Sequence, residues 1–167
     1  MLAILAGLPG AGKTTIAEAL ERRGWRRVSR DEVMPRLFGP DTRFGDPAQK
    51  QATFQEMLRI AEALLRQGNR ALLEGMLFSR RSEVEAARAL AGRVGVPFRC
   101  LLCVCPEAVA LDRIRAQRSA HPATDRDDSL YRRSKSTFEP IEGEHLVVET
   151  TRPIDETVEM CVAYLNL

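Results

Sequence analysis

Short apolar runs alternate with amphipathic stretches along the whole chain. Residues 2–6, LAILA, are apolar throughout, the pattern of a strand buried on both faces. Residues 13–23 carry Ile16, Ala19 and Leu20 at helical spacing and stop at Gly24. Residues 25–29 predict a second strand, residues 31–38 a helix ending at Gly39-Pro40, and residues 44–47 a loop. Residues 48–67 predict a long helix with Phe54, Met57, Leu58, Ala61, Leu64 and Leu65 on one face and Gly68 as its stop. Strand 70–73, helix 79–94 with an arginine-rich outer face, and strand 98–104 follow. Pro106 opens a helix reaching about residue 118. After a polar, irregular stretch at 119–127 come a helix over 128–138, a strand over 146–149 and a closing helix over 154–165. No repeat, low-complexity tract or linker interrupts the pattern, so residues 1–167 read as a single α/β domain with a parallel sheet and right-handed crossovers.

Composition narrows this picture. At 167 residues the chain is one domain in size, and 44% hydrophobic with 29% charged residues fits a globular protein. The net charge of +2 excludes a strongly basic nucleic-acid coat protein and leaves room for a local basic groove. All but three of the 25 basic residues are arginine; the lysines are Lys13, Lys50 and Lys135, of which only Lys13 is given a task. Cys100 and Cys103 have CxxC spacing, but a zinc site would need a second pair or nearby histidines, and the nearest is His121. Together with Cys105 and Cys161 they read as buried reduced thiols, which points to a reducing compartment. No apolar stretch reaches about 18 residues, and the opening MLAILAGLPG lacks a basic n-region. Neither a membrane span nor a signal peptide is expected, and the location expected is cytoplasmic.

The chemistry begins at Gly7-Leu8-Pro9-Gly10-Ala11-Gly12-Lys13-Thr14, which satisfies G-x-x-x-x-G-K-[ST] between a strand and a helix. Backbone N–H groups of such a loop wrap phosphate oxygens, so Gly7, Gly10 and Gly12 must be small, with Pro9 and Ala11 completing the cradle. The helix start at Lys13, Thr14 and Thr15 adds its dipole, Lys13 reaches the β- and γ-phosphates, and the Thr14 hydroxyl ligates Mg²⁺. A nucleoside triphosphate donor is therefore expected. A guanine-reading N-K-x-D is absent, and the chain is short for a remodelling ATPase, which leaves a compact kinase. Asp31 follows the second strand and is either the orienting base for an attacking hydroxyl or a helix N-cap. Glu74, at the carboxyl end of the third strand, is either a Mg²⁺ ligand, direct or through water, or a strand-end charge in solvent. Gly75 is read as letting the chain pass close to substrate. Arg113, Arg115, Arg118 and Arg126 lie on or beside the polar segment where a lid over about 119–137 would close; Arg118 is best placed to reach phosphate, and Arg115 reads as surface. The acceptor pocket is expected along 31–44 and 76–81, where Phe38, Phe44 and Phe78 either stack a base or pack.

The segments GLPGAGKTT, SRDEVMPRLFG, ALLEGMLFSRRSEVEAARALAGRVGVPF, PEAVALDRIRAQR and FEPI resemble the small P-loop kinases labelled AAA-domain ATP-binding proteins, over nearly the whole chain. That group is similar to polynucleotide 5′-kinase domains and chloramphenicol phosphotransferase, and more distantly to zeta toxins and gluconate kinase. The resemblance implies a three-layer α/β/α sandwich of the P-loop NTPase class, with a five-stranded parallel sheet in the order 2-3-1-4-5. It implies an ATP·Mg²⁺ donor, an acceptor hydroxyl met by Asp31, a lid arginine at Arg118, and Arg113 nearer the adenine. Polynucleotide kinases carry Asp-x-x-Arg; here the fourth position is Met34. Glu74 stands where Asp is more common in the group. The acceptor is either a small molecule or a polynucleotide 5′ end. Two other activities stay open: a regulatory ATPase with water as acceptor, and a toxin-type kinase acting on sugar nucleotides. No protein partner is indicated.

Overall fold

The computed structural model describes residues 1–117 and 128–166. Strand β1 (Leu2–Ala6) runs through the middle of the molecule with every residue buried. It is followed by α1 (Lys13–Arg22), β2 (Arg26–Ser29), α2 (Arg30–Phe38), α3 (Pro47–Arg66) and β3 (Ala71–Glu74). The second half adds α4 (Arg81–Val94), β4 (Phe98–Val104), α5 (Glu107–Gln117), α6 (Asp128–Ser136), β5 (Leu146–Glu149) and α7 (Ile154–Leu165). The five strands form one parallel sheet in the order β2-β3-β1-β4-β5. The expected α/β/α sandwich and strand order are both present. Predicted and observed element ends differ by one or two residues, as helix ends fray into turns. The long helix starts at Pro47 instead of 48 because Asp46 caps it, accepting from Gln49 N at 2.9 Å.

Alternate residues of each strand feed opposite faces of the sheet. On one face Ile4, Leu73 and Cys100 meet Val33 of α2, Phe54, Met57 and Ala61 of α3, and Ala87 and Leu90 of α4. On the other, Leu5, Leu72, Leu101 and Val148 meet Ile16 and Leu20 of α1 and Val158 and Leu165 of α7. Neither core contains a residue of α5 or α6. Those helices share a small cluster of their own, Ala110, Ile114 and Tyr131, packed against Leu8.

Three of the four cysteines are the buried thiols expected, whereas Cys105 is only partly buried. Cys100, Cys103 and Cys161 are buried and unpaired, and burial pushes them up to about 12, 12 and 11 respectively. Among the described residues no group of three His, Cys, Asp or Glu side chains could hold a metal, and no helix is long and apolar enough to cross a membrane.

Candidate active site

The loop between β1 and α1 opens into a cleft of about 940 Å³ at the carboxyl edge of the sheet, where parallel α/β folds place their ligands. The structure gives its glycines a reason beyond phosphate wrapping. At Gly7 (φ +139°) a Cβ would sit 2.4 Å from the Cys103 carbonyl oxygen, and at Gly10 (φ +77°) 2.4 Å from that of Ala110. The loop is clamped between the end of β4 and α5, and any side chain would break the clamp. Arg113 tightens it from α5. Its guanidinium donates to Gly10 O (3.3 Å), Thr150 Oγ1 (2.9 Å) and Thr150 O (2.8 Å). Arg113 thus holds the loop's shape at the β4/β5 side of the cleft.

Lys13 is almost fully buried, and its Nζ donates to the carbonyl oxygens of Gly7 (2.8 Å) and Leu8 (2.9 Å). The loop's own backbone carbonyls thus take up its charge. No acidic side chain occupies the first turn of α1, so its free N–H groups and dipole face the cleft without an internal anion. Thr14 and Thr15 are exposed there.

Across the loop, β2 and β3 deliver the acidic residues. Asp31 is the second residue of α2 and Ser29 is the N-cap, so the N-cap alternative for Asp31 does not hold. Its Oδ1 accepts from Arg30 Nε (3.3 Å) and Nη2 (3.2 Å), and it lines the cleft. Glu74 is not a solvent charge. It is 1% exposed, and its Oε1 accepts from Arg27 Nη1 at 3.2 Å, while Oε2 is buried without a hydrogen-bonding partner. Burial raises the Glu74 carboxyl above its ordinary range; hydrogen bonding with Ser29 lowers it, Asp31 raises it, and Arg27 and Lys13 lower it. Gly75 lines the cleft and has a second task besides the one expected. At φ +83° its missing Cβ makes room for Arg30, whose Cβ and N would lie 2.9 and 3.0 Å away. The glycine lets β3 approach the start of α2 and so positions Asp31.

The three phenylalanines divide. Phe78 is fully buried, edge-on to Phe54 at 6.1 Å, and Phe38 lies outside the cleft. Phe44 lines the cleft with the Arg30 guanidinium 5.3 Å above its ring. Of the two expected acceptor segments, Asp31, Glu32, Phe44, Leu77, Ser79 and Arg80 reach the cleft, whereas Met76 and Phe78 turn into the core. Arg115 is a surface residue, paired with Asp128 and Asp112. Arg118, Arg126 and the 119–127 part of the lid lie outside the described residues. The remaining part, α6, contributes Leu130, Arg133 and Ser134 to the cleft, followed by Thr137.

Sequence reasoning missed Lys50, which reaches the cleft from α3 and pairs with Glu83 at 3.0 Å. It also missed Arg27, which bridges Glu21, Glu32 and Glu74. Each sits in an ordinary helix or strand, and only the fold brings it to the loop.

The sequence pattern of the AAA domain matches residues 2–141. The chain belongs to the AAA-domain family. Small kinases of known structure share the fold of this AAA-domain protein. A sugar kinase from Janibacter sp. superposes with a TM-score of 0.73 at 17% identity, covering 99% of this chain and 94% of that one. The Mycobacterium tuberculosis APS kinase CysC, solved in complex with AMPPNP and APS, gives 0.72 at 18% identity and 99% and 97% coverage. A gluconokinase from Sinorhizobium meliloti gives 0.64 at 19% identity and 96% and 89% coverage. None of the curated proteins matches the sequence. The expected likeness to small P-loop kinases thus holds for the AAA-domain family and for the fold.

Proposed function

We propose that this protein is an ATP-dependent kinase that moves the γ-phosphoryl group of ATP·Mg²⁺ to a hydroxyl of a small molecule or of a polynucleotide 5′ end. The observation that carries the reading is one cleft, about 940 Å³, with the phosphate-binding loop at its centre and room on both sides. That volume is at the upper end of the range for single-ligand pockets, about 300–1,000 Å³, and suits a donor and an acceptor together. Thr150, Arg152 and Arg113 line the β4/β5 side, and Arg30, Asp31, Phe44 and Lys50 the β2/β3 side. The donor fits the first, where Arg113 holds Gly10, and the acceptor the second, where the carboxylate is.

In this reading Lys13 leaves the carbonyls of Gly7 and Leu8 for the β- and γ-phosphates, with Gly7, Pro9, Gly10, Ala11, Gly12, Thr14 and Thr15 forming the cradle. Asp31 accepts the acceptor's proton as its oxygen attacks the γ-phosphorus and the bond to the β-phosphate oxygen breaks. Arg118 neutralises the transferring group. The orphaned Glu74 Oε2 and the exposed Thr14 hydroxyl fit a divalent cation. They would hold Mg²⁺, which supplies charge neutralisation across the phosphates.

The test is transfer of label from γ-labelled ATP to a panel of nucleosides, sugars, sugar nucleotides, antibiotics and 5′-OH oligonucleotides. Labelled product supports the kinase. Release of free labelled phosphate at the same rate with and without every acceptor, and no labelled product, refutes it in favour of an ATPase. Both readings keep the P-loop task of Lys13.

A further inference from the structure

The arginines of this chain are not equivalent. On the surface, most guanidiniums stand beside a carboxylate of their own neighbourhood. Arg59 pairs with Glu56, Arg66 with Glu62, Arg88 with Glu85, Arg36 with Glu32, Arg23 with Glu159 and Arg81 with Glu142. Inside the cleft the same holds for Arg27, Arg30 and Lys50, whose partners are Glu74, Asp31 and Glu83. Arg80, Arg113 and Arg133 break the rule, but Arg113 spends its donors on Gly10 and Thr150. Arg80 and Arg133 both line the cleft, and among the described residues neither guanidinium has a carboxylate partner, while the Arg80 backbone N donates to Glu83 Oε2 at 3.3 Å. Arg133 has only the neutral Ser129 hydroxyl, to which Nη1 donates at 2.7 Å.

The fold puts these two residues at the acceptor end. Arg80 lies on the connection from β3 to α4, beside Ser79. The segment after α6 docks on that connection: Glu139 N donates to Ser79 O at 2.8 Å, and Arg81 N donates to the Glu139 side chain at 2.6 Å. The C-terminal end of α6, with Arg133 one turn before Thr137, is thereby drawn to the wall that carries Arg80. The donor's cations, Lys13 and Arg113, belong to the loop and to the opposite wall.

From this pairing pattern we infer that the acceptor is a small hydroxyl compound that already carries an anionic group, a phosphate, sulfate or carboxylate, gripped by Arg80 and Arg133. The inference rests on the kinase reading for the word acceptor, and on the charges alone for the anion. Two guanidiniums without counterions, in a cleft where Arg27, Arg30, Lys50 and Arg152 each meet a carboxylate, fit one oxyanion. Phe44, capped by Arg30, offers a flat wall beside it. A polynucleotide would need a basic track leading away from the cleft. The paired surface arginines around Glu142, Glu85 and Glu32 do not supply one.

Two measurements test this. With the donor end filled by AMPPNP·Mg²⁺, inorganic phosphate is titrated into the full chain by calorimetry. One further saturable phosphate per chain is expected, weakened about tenfold or more in Arg80→Ala, partly restored in Arg80→Lys and unchanged in Arg23→Ala. Absence of that second phosphate overturns the inference while leaving the kinase reading to its own assay. The second measurement compares matched acceptors under γ-labelled ATP: nucleosides against nucleoside 3′-phosphates, sugars against sugar phosphates, polyols against hydroxy acids. The charged member of a pair is expected to win, with Arg80→Ala raising its KM more than it lowers kcat. Equal use of neutral members, or a 5′-OH oligonucleotide outrunning its mononucleotide, overturns the inference. A bound phosphate with no transfer to any hydroxyl counts against the kinase and for the anion site.

Discussion

Replacing Gly75 by alanine tests how Asp31 is positioned. Gly75 sits at φ +83°, and its added Cβ would meet Arg30 Cβ at 2.9 Å and Arg30 N at 3.0 Å, part of it backbone that cannot swing aside. Gly68 is the control. Its φ is +81°, and nothing lies within 4 Å of its added Cβ. Gly68→Ala therefore meets only the left-handed backbone cost, about 1–2 kcal/mol, partly offset by about 0.4–1 kcal/mol from a stiffer unfolded chain. A net loss of about 0.5–1 kcal/mol follows, or roughly 1–4 °C in Tm for a domain of this size. Gly75→Ala adds an overlap of about 1–3 kcal/mol, for a total of about 2–4 kcal/mol and roughly 5–15 °C. The alternative to unfolding is a shift of α2 away from β3, which carries Asp31 with it. Displacement by about 1 Å can cost roughly a hundredfold in rate, so ATP affinity should stay within a few fold while transfer falls. Thermal melts of the two variants, with nucleotide titrations, decide it. Equal melting losses in both would show that the β3–α2 contact does not constrain the fold, and the positioning role of Gly75 would be withdrawn.

Lys13→Ala should abolish ATP binding in a fluorescent-nucleotide titration, since no other side chain can replace its charge on the phosphates; retained affinity would contradict the reading of the loop. Asp31→Asn should keep ATP affinity and lose transfer by about a hundredfold or more, in line with general-base contributions of about 10²–10⁴; full transfer would remove Asp31 from the mechanism. Glu74 gives a pH prediction. Its carboxyl is raised in the folded protein above 4.5, so the folded state binds that proton more tightly than the unfolded chain does. Its contribution to stability is complete below 4.5 and is lost as pH rises through the raised value. Denaturation midpoints should show this slope in the nucleotide-free protein and not in Glu74→Gln, which should also lose the Mg²⁺ dependence of nucleotide binding.

Much of the loop between β1 and α1 was legible in the sequence because its signal is local. The glycines, Lys13 and Thr14 occupy one contiguous run, and the alternation of strands and helices around them determines where that run must sit. The β2/β3 side of the cleft was harder to read. Lys50 looks like any polar position on a long helix, and Arg80 like one of many arginines; their positions follow from how α3 and the β3–α4 connection pass the loop. The two meanings of Asp31 could be separated only by the helix start, which falls one residue earlier than the pattern suggested and makes Ser29 the cap. The second task of Gly75 was hidden for the same reason: its neighbour is Arg30, 45 positions away in sequence and adjacent in space.

Helices α5 and α6 stand on a small apolar cluster of their own, sharing no residue with the two cores that hold the sheet. Changes in α6 therefore load that cluster first, and through Leu8 they reach the loop between β1 and α1. The packing that holds the sheet and the packing that holds the nine-residue α6 at the cleft are thus separate bodies, so substitutions in α6 are expected to leave the two sheet cores intact.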